Sequence, residues 1–388
     1  MTKQNETISD KNANFNMLDL DTSSLTKLEL LYFKMMRARG AVPFVKGRPG
    51  EAKTAIIRSI SKKLGLQYID IRLSQIDEIV VTGYPHTSDD GKSFDFVTPA
   101  WALRANSTPS IICFEEYNRA KLEQRNAAMQ IMAEREVGMN LKLNDNVLII
   151  ATGNLGEEDG TDVEEIESAQ RGRLATIKHK LTIADWKEGY ANENVHELIL
   201  AFIDANPDAF YKYEREDVSD SYASARSWDY LSRYIISNYG TMATQNTNLP
   251  QLINDLRQIG KSYVGTTSNK FIKYIEQMSR ISILDILNRF DEIKKMASAF
   301  SRPMVSEYLT QLADDKMDIE ALSKAQVDNL NKFLKTVSDD DELVSFFRKI
   351  VEKIDFMAVK LNPSIMNNTK VIIDSFPKIK SRMKTRNT

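Results

Sequence analysis

Apolar residues recur at Leu25, Leu28, Leu30, Leu31, Phe33, Met35 and Met36 with the spacing of a helix face, and Gly40 ends the pattern. The chain then changes character. Val42 to Val45 is a short apolar run, Gly47 and Gly50 interrupt it, and Ala55 to Ile60 returns to helical spacing, so this stretch predicts strand, loop and helix. After Gly65, Leu66 to Leu73 alternates like a strand. Residues 74–105 are less regular, with turn signals at Thr82 to Pro85 and Ser88 to Ser93, and predict an inserted helix and hairpin. Ser110 to Phe114 predicts a buried strand running into Glu115 and Glu116. Helical spacing from Asn118 to Glu134, a hairpin from Val137 to Asn144, a buried strand from Val147 to Thr152 ending at Gly153-Asn154, and a last strand from Ala175 to Leu181 follow. Strands alternating with helices in this way predict a parallel sheet with helices on both faces. The strand at 110–116 is expected to lie beside the strand at 42–46.

Beyond Thr182 the alternation stops. Residues 195–205, 224–239, 249–260, 270–299 and most of 304–376 have helical spacing with few strand signals. The apolar stripe Phe271, Ile272, Ile275, Met278 and Ile281 reads as core, with a partner-binding face as the alternative.

Composition narrows the function classes. A chain of 388 residues with 42% hydrophobic and 27% charged residues can bury two or three domain cores. A formal net charge of -2 gives no global drive toward nucleic acid, so any such contact must be local. The one basic run, Lys378 to Arg386, reads as a solvated, frayed terminus, with a nucleic-acid arm as the alternative. Cys113 is the single cysteine and lies in an apolar run, which excludes a disulfide framework. His86, His179 and His196 are scattered rather than set at ligand spacing. Residues 1–22 are polar and expected to form a disordered leader with no signal-peptide core, and no apolar stretch is long enough for a bilayer. A cytoplasmic location without membrane contact is expected.

The chemistry concentrates in Gly47-Arg48-Pro49-Gly50-Glu51-Ala52-Lys53-Thr54. A loop between strand and helix points backbone N–H groups inward, and the helix adds its positive N-terminus, so a triphosphate can sit there. Lys53 would reach the outer phosphates and Thr54 would place its hydroxyl on magnesium. Ala52 stands where the phosphate-loop pattern ends in a second glycine. Glu115 and Glu116 close a buried strand, and ligands of open parallel sheets bind at such carboxyl ends, so both acids are expected near the phosphates.

Together these pieces resemble the AAA+ ATPases, and within them the MoxR-like branch, over roughly residues 24–240. The most telling piece is Phe114-Glu115-Glu116-Tyr117-Asn118-Arg119-Ala120, which looks like that branch's second nucleotide motif, an Asp-Glu pair followed by an apolar residue and Asn-Arg-Ala. The resemblance implies an AAA+ α/β domain over 23–182 and an α-helical lid over 183–245; the helical spacing beyond has no family match and is expected to form a further α-helical region over 246–388. It implies ATP and Mg2+ as cofactors, with Thr54 and Glu115 toward the metal and Glu116 polarising the attacking water. Asn154 matches the polar sensor that reaches the γ-phosphate or the water; read alone it is a strand-end turn residue. Arg173, or Arg171, falls where the family keeps an arginine that enters the neighbouring subunit's site, which has a use only in a ring or dimer. Arg226 resembles the lid arginine, with a surface helix arginine beside Trp228 as the alternative.

The implied function is an ATP-hydrolysing ring, a hexamer, that remodels or assembles a protein client, often alongside a von Willebrand factor A domain partner. The segment 74–105 and the hairpin around 140–146 are where the resemblance implies substrate contacts. Similar chains are common in tailed-phage genomes, for which the compartment is the host cytoplasm. Ala52 and Glu115 depart from the family pattern and motivate an alternative, a nucleotide-binding scaffold with little hydrolysis. The basic run motivates another, a DNA-directed motor, which the net charge disfavours.

Overall fold

The period-2 alternation of the strands sorts the first half of the chain into two cores, one on each face of a single sheet. The computed structural model describes residues 16–213, 221–241, 248–297, 300, 302–313, 319–337, 340–353 and 367–384. Five parallel strands, β1 (Val42–Lys46), β2 (Gln67–Arg72), β5 (Ser110–Glu115), β8 (Val147–Gly153) and β9 (Leu174–Lys178), lie in the order β2-β5-β8-β1-β9. Ile111, Cys113, Leu148 and Ile150 face α1 (Lys27–Ala38) and α2 (Lys53–Leu64) through Tyr32, Phe33, Ile57 and Ile60. Ile112, Phe114, Ile149 and Ala151 face the other way, toward Trp101 and Ala102 of α4 (Ala100–Ser107) and Ala128 and Ile131 of α5 (Leu122–Glu134).

The order corrects one expectation. β5 does not lie beside β1; β8 runs between them and pairs with both. Apolar composition says that a strand is buried on both faces but not which neighbour it takes, and β8, buried in all seven residues, holds the middle. Pro43 is accommodated because pairing of β1 with β8 begins only at Phe44.

Local signals explain the element ends. Thr26 and Glu29 form a reciprocal capping box at α1. Between β2 and β5 the chain inserts α3 (Glu78–Thr82) and an antiparallel hairpin of β3 (Tyr84–Thr87) and β4 (Phe94–Val97). A second hairpin, β6 (Glu136–Val137) with β7 (Leu141–Lys142), docks on the first where Asn140 Nδ2 donates to Phe96 O at 2.8 Å. A short helix α6 (Ser168–Arg171) precedes β9. Of the expected leader, residues 1–15 lie outside the described residues. Met17–Asp19 form a 3-10 turn with Met17 buried in the α1 core, because an apolar side chain within reach of a core buries despite polar neighbours.

The chain divides into two compact units, 1–190 and 191–388. The second is helical: α7 (Glu197–Ala205), α8 (Ala225–Tyr239), α9 (Leu249–Val264), α10 (Thr267–Met278), α11 (Ile283–Ala297), α12 (Arg302–Ala313), α13 (Lys324–Leu334), α14 (Asp340–Lys353), α15 (Asn367–Asp374) and α16 (Pro377–Lys384). The spacing over 270–299 thus belongs to two helices, parted by a turn in which Ser282 and Asp285 hydrogen-bond each other. Phe271, Ile272, Ile275 and Met278 are core, and Phe271 packs on Phe202 and Trp228 with ring centroids 5.1 and 5.6 Å away. None of the described helices is long and apolar enough to cross a membrane.

The basic run is not a frayed terminus over its described part. It forms α16 with Ile379 buried, Lys378 and Arg382 pair with Asp340 and Asp341 at the start of α14, and Lys380 pairs with Asp374. Acids at a helix start are stabilised by its dipole and here receive the basic helix as well. Thr385 and Arg386 lie outside the described residues.

Candidate functional site

β1 ends at Lys46, and Gly47 N donates to Gly153 O at 3.2 Å, which ties the start of the loop to the end of β8. Gly47 is required by space: a Cβ there would lie 2.9 Å from His179 O. Glu51 closes the loop by accepting from Arg48 N at 3.1 Å, and its burial pushes its carboxyl pKa up. Arg48 is exposed, Pro49 half-buried and Gly50 buried.

Ala52 has φ 58° and ψ 17°, a left-handed conformation that glycine adopts without the clash an L side chain meets. The departure from the family pattern therefore sits where the glycine relieves strain. Ala52→Gly is expected to raise stability by about 0.5–1 kcal/mol, the relief of about 1–2 kcal/mol offset by glycine's greater freedom in the unfolded chain. Thermal unfolding would show a midpoint higher by about 2 °C. A lower midpoint sinks this account of the residue.

Lys53 opens α2 and its ammonium donates to Gly47 O at 2.6 Å and Arg48 O at 2.9 Å, with Asn154 Oδ1 at 3.4 Å. The loop carbonyls hold the charge at the mouth of the loop. Thr54 follows in the first turn, half-buried.

The acids stand at the same carboxyl edge. Glu115 is buried and accepts from Tyr68 Oη at 2.9 Å, with Arg72 Nε 3.6 Å from its other oxygen. Glu116 is half-buried at φ 55°; its carboxylate accepts from Ser74 Oγ and lies 3.5 Å from Arg119 Nη1. Asn118 is buried and clamps Asn154 twice, accepting from Asn154 N at 3.0 Å and donating to Asn154 O at 2.8 Å. It fits only because residue 153 is glycine, whose added Cβ would lie 2.3 Å from Asn118 Oδ1. Its own carbonyl accepts from Glu164 N at 2.8 Å, which fixes the acidic loop leading to Arg171.

A second anchor holds the loop from behind. His179 Nε2 donates to Glu51 O at 2.8 Å and Nδ1 accepts from Tyr32 Oη at 2.6 Å, a pairing that fits the neutral ring. Burial holds the His179 pKa below 6.5, and His196 in the second unit is lowered for the same reason, with Glu197 opposing. The unfolded chain therefore binds protons that the fold resists, and stability is lost as pH falls through about 6.5. Glu51, raised, acts oppositely in a window that starts at 4.5. The unfolding midpoint is expected to drop between about pH 7.5 and about 5.5, and to drop less in His179→Gln. Equal slopes in the two proteins would remove His179 as a cause.

Lys53, Asn154, Glu115 and Glu116 are thus brought to one edge of the sheet. Arg171 and Arg173 are not. Arg173 O accepts from Val42 N at 2.9 Å, at the first residue of β1, whereas the phosphate loop follows the last. Four residue steps separate these ends, about 13 Å of strand. Both arginines are exposed; Arg171 Nε donates to Ile166 O at 2.7 Å, and Arg173 Nη1 reaches Ala169 O at 3.3 Å. Arg226 is exposed in the first turn of α8, in the second unit. Sequence reasoning gave no role to Tyr68, Ser74, Asn118 or the Tyr32–His179 pair. Asn118 stood inside the quoted motif; the others are reached only through strand pairing and packing.

Residues 43–175 match the model of the ATPase family associated with various cellular activities (AAA). No curated protein matches the chain. Among solved structures, a protein from Cytophaga hutchinsonii described as a candidate ATPase is 14% identical, with 90% of this chain and 88% of that chain covered and a TM-score of 0.31.

Proposed function

We propose that this chain, whose residues 43–175 carry an AAA-family ATPase domain, is an ATP-hydrolysing, ring-forming ATPase of the MoxR-like kind that remodels or assembles a protein partner. The observation that carries it is the split of the site residues between the two edges of one sheet. Lys53, Asn154 and the acids gather at the carboxyl edge, while Arg171 and Arg173 stand exposed at the amino edge, about 13 Å of strand away. A strand of that length outreaches an arginine side chain, so an arginine there serves a neighbour's nucleotide and not its own.

The residues fit magnesium nucleotide. Thr54 offers one hydroxyl and Glu115 one carboxylate, a sparse oxygen set of the kind magnesium accepts when phosphates and water complete it. Magnesium, when bound, neutralises charge developing on the transferring phosphoryl group. With nucleotide bound, Lys53 would exchange loop carbonyls for outer phosphate oxygens, Glu116 would accept a hydrogen bond from the attacking water and polarise it, and Asn154, held by Asn118, would orient what lies between them.

For the client, the inserted segment exposes Ile79, Val80, Tyr84, Phe94 and Val97, and the docked second hairpin exposes Met139, which is 81% accessible. Apolar side chains gathered on α3 and the two linked hairpins suit a protein surface, a client or a von Willebrand factor A domain partner. A DNA-directed motor is the less favoured alternative over the described part of the basic run, where Lys378, Lys380 and Arg382 are matched by acids of the same chain. A nucleotide-binding scaffold keeps one: the Glu116 carboxylate is engaged by Ser74 and Arg119.

Hydrolysis measured against protein concentration tests the reading. Turnover per chain is expected to rise as subunits meet. ATP bound without turnover at any concentration selects the scaffold.

A further inference from the structure

We propose that Tyr68 is a positioning residue for Glu115, holding the longer acid in the place where the resemblance leads one to expect aspartate. This rests on the nucleotide-site reading above and says how this chain accommodates one of its two departures.

The parallel register of β2 and β5 sets Tyr68 opposite Ile111 and Arg72 opposite Glu115. With alternation, Tyr68, Asp70 and Arg72 share a face of the sheet with Ile111, Cys113 and Glu115, the face that α2 covers. The Tyr68 ring lies under the Arg58 guanidinium of α2, 4.9 Å from its centroid, and Arg58 is itself held by Asp70 at 2.7 Å. The ring is therefore held by Arg58 over one face and by packing against the core, and its hydroxyl reaches one oxygen of Glu115 at 2.9 Å. Arg72 Nε stands 3.6 Å from the other oxygen and 3.6 Å from Asp70.

The chemistry sets the direction of the bond. At neutral pH a phenol carries its proton and a carboxylate is acceptor-only, so Tyr68 donates and the carboxylate accepts. Glutamate has one more rotatable bond than aspartate, and a buried carboxylate with that freedom would spread over several positions. A hydrogen bond from a ring held under Arg58 selects one of them. An aspartate at 115 would be a methylene shorter and would leave the hydroxyl behind, so Tyr68 and the glutamate belong together.

The test is ATPγS affinity with magnesium and with EDTA in its place, for wild type, Tyr68→Phe, Glu115→Asp and the double variant. Tyr68→Phe keeps the ring and its packing under Arg58 and is expected to unfold near the wild-type temperature. Magnesium is expected to tighten ATPγS binding to the wild type, and Tyr68→Phe to lose about tenfold of that gain with its EDTA affinity unchanged. In the Glu115→Asp background, Tyr68→Phe is expected to change neither value. The proposal is overturned by an intact magnesium gain in Tyr68→Phe, by an equal loss in EDTA, which marks a merely structural role, or by the same loss in both backgrounds. A wild type whose ATPγS affinity ignores magnesium overturns the nucleotide-site reading itself, and this proposal with it.

Discussion

Replacing Lys53 by alanine is expected to lower ATP turnover by about two to three orders of magnitude, with nucleotide affinity falling alongside it. The ammonium is held at the loop's own carbonyls, within 2.6 Å of Gly47 O and 2.9 Å of Arg48 O, and it reaches across to Asn154 on the neighbouring strand end. A triphosphate in that loop brings several negative oxygens to the same place, and the charge that develops on the transferring group needs a fixed positive partner. The fold needs it far less. The carbonyls that Lys53 satisfies lie at the loop mouth, where water can replace it, so the unfolding midpoint is expected to move by only about 2 °C. Measuring binding, turnover and unfolding on one preparation separates these effects. Turnover within tenfold of wild type would mean that the phosphates sit elsewhere.

Arg173→Ala is expected to lower turnover by about a thousandfold while leaving the variant's own ATP affinity near wild type. The asymmetry follows from the sheet. Arg173 precedes β9, and its carbonyl is bonded to Val42 at the start of β1, so its guanidinium begins its reach from the edge opposite the loop. Arg171→Ala is expected to do less, because Arg171 Nε is already committed to Ile166 O at 2.7 Å, while the Arg173 contact with Ala169 O is longer at 3.3 Å. Mixing gives the decisive measurement. Arg173→Ala subunits keep Lys53, and Lys53→Ala subunits keep Arg173, so junctions of the two restore one complete site and some turnover returns. Two dead variants that stay dead when mixed, or an Arg173→Ala variant that no longer binds ATP, would falsify action in trans.

The sequence by itself determined what is local. Glycine positions, the Lys53-Thr54 pair and the closing acids of an apolar strand all lie within a few residues of one another, and short-range spacing specifies them. Parallel strands with helices on both faces followed from the same reasoning, because strands buried on two faces read as unbroken apolar runs. The segment 270–299 read as helical spacing without a break, and the turn that parts its two helices is held by two hydrogen bonds with Asp285. The basic run read as a solvated terminus, since the acids it meets on α14 lie far away in the chain.

The tertiary structure alone decided strand order, and with it the partners of the site. β8 entered between β1 and β5, which gave Lys53 an asparagine for a neighbour and put the acids one strand farther off. Tyr68 meets Glu115 across 47 residues and Tyr32 meets His179 across 147, through parallel pairing and packing that leave no periodic trace in the chain. The same sheet set the arginines at the edge away from the loop. Local spacing fixes which groups are present; only long-range pairing fixes which of them can touch, because a parallel strand finds its neighbour through a crossover of many residues and not through the residues beside it.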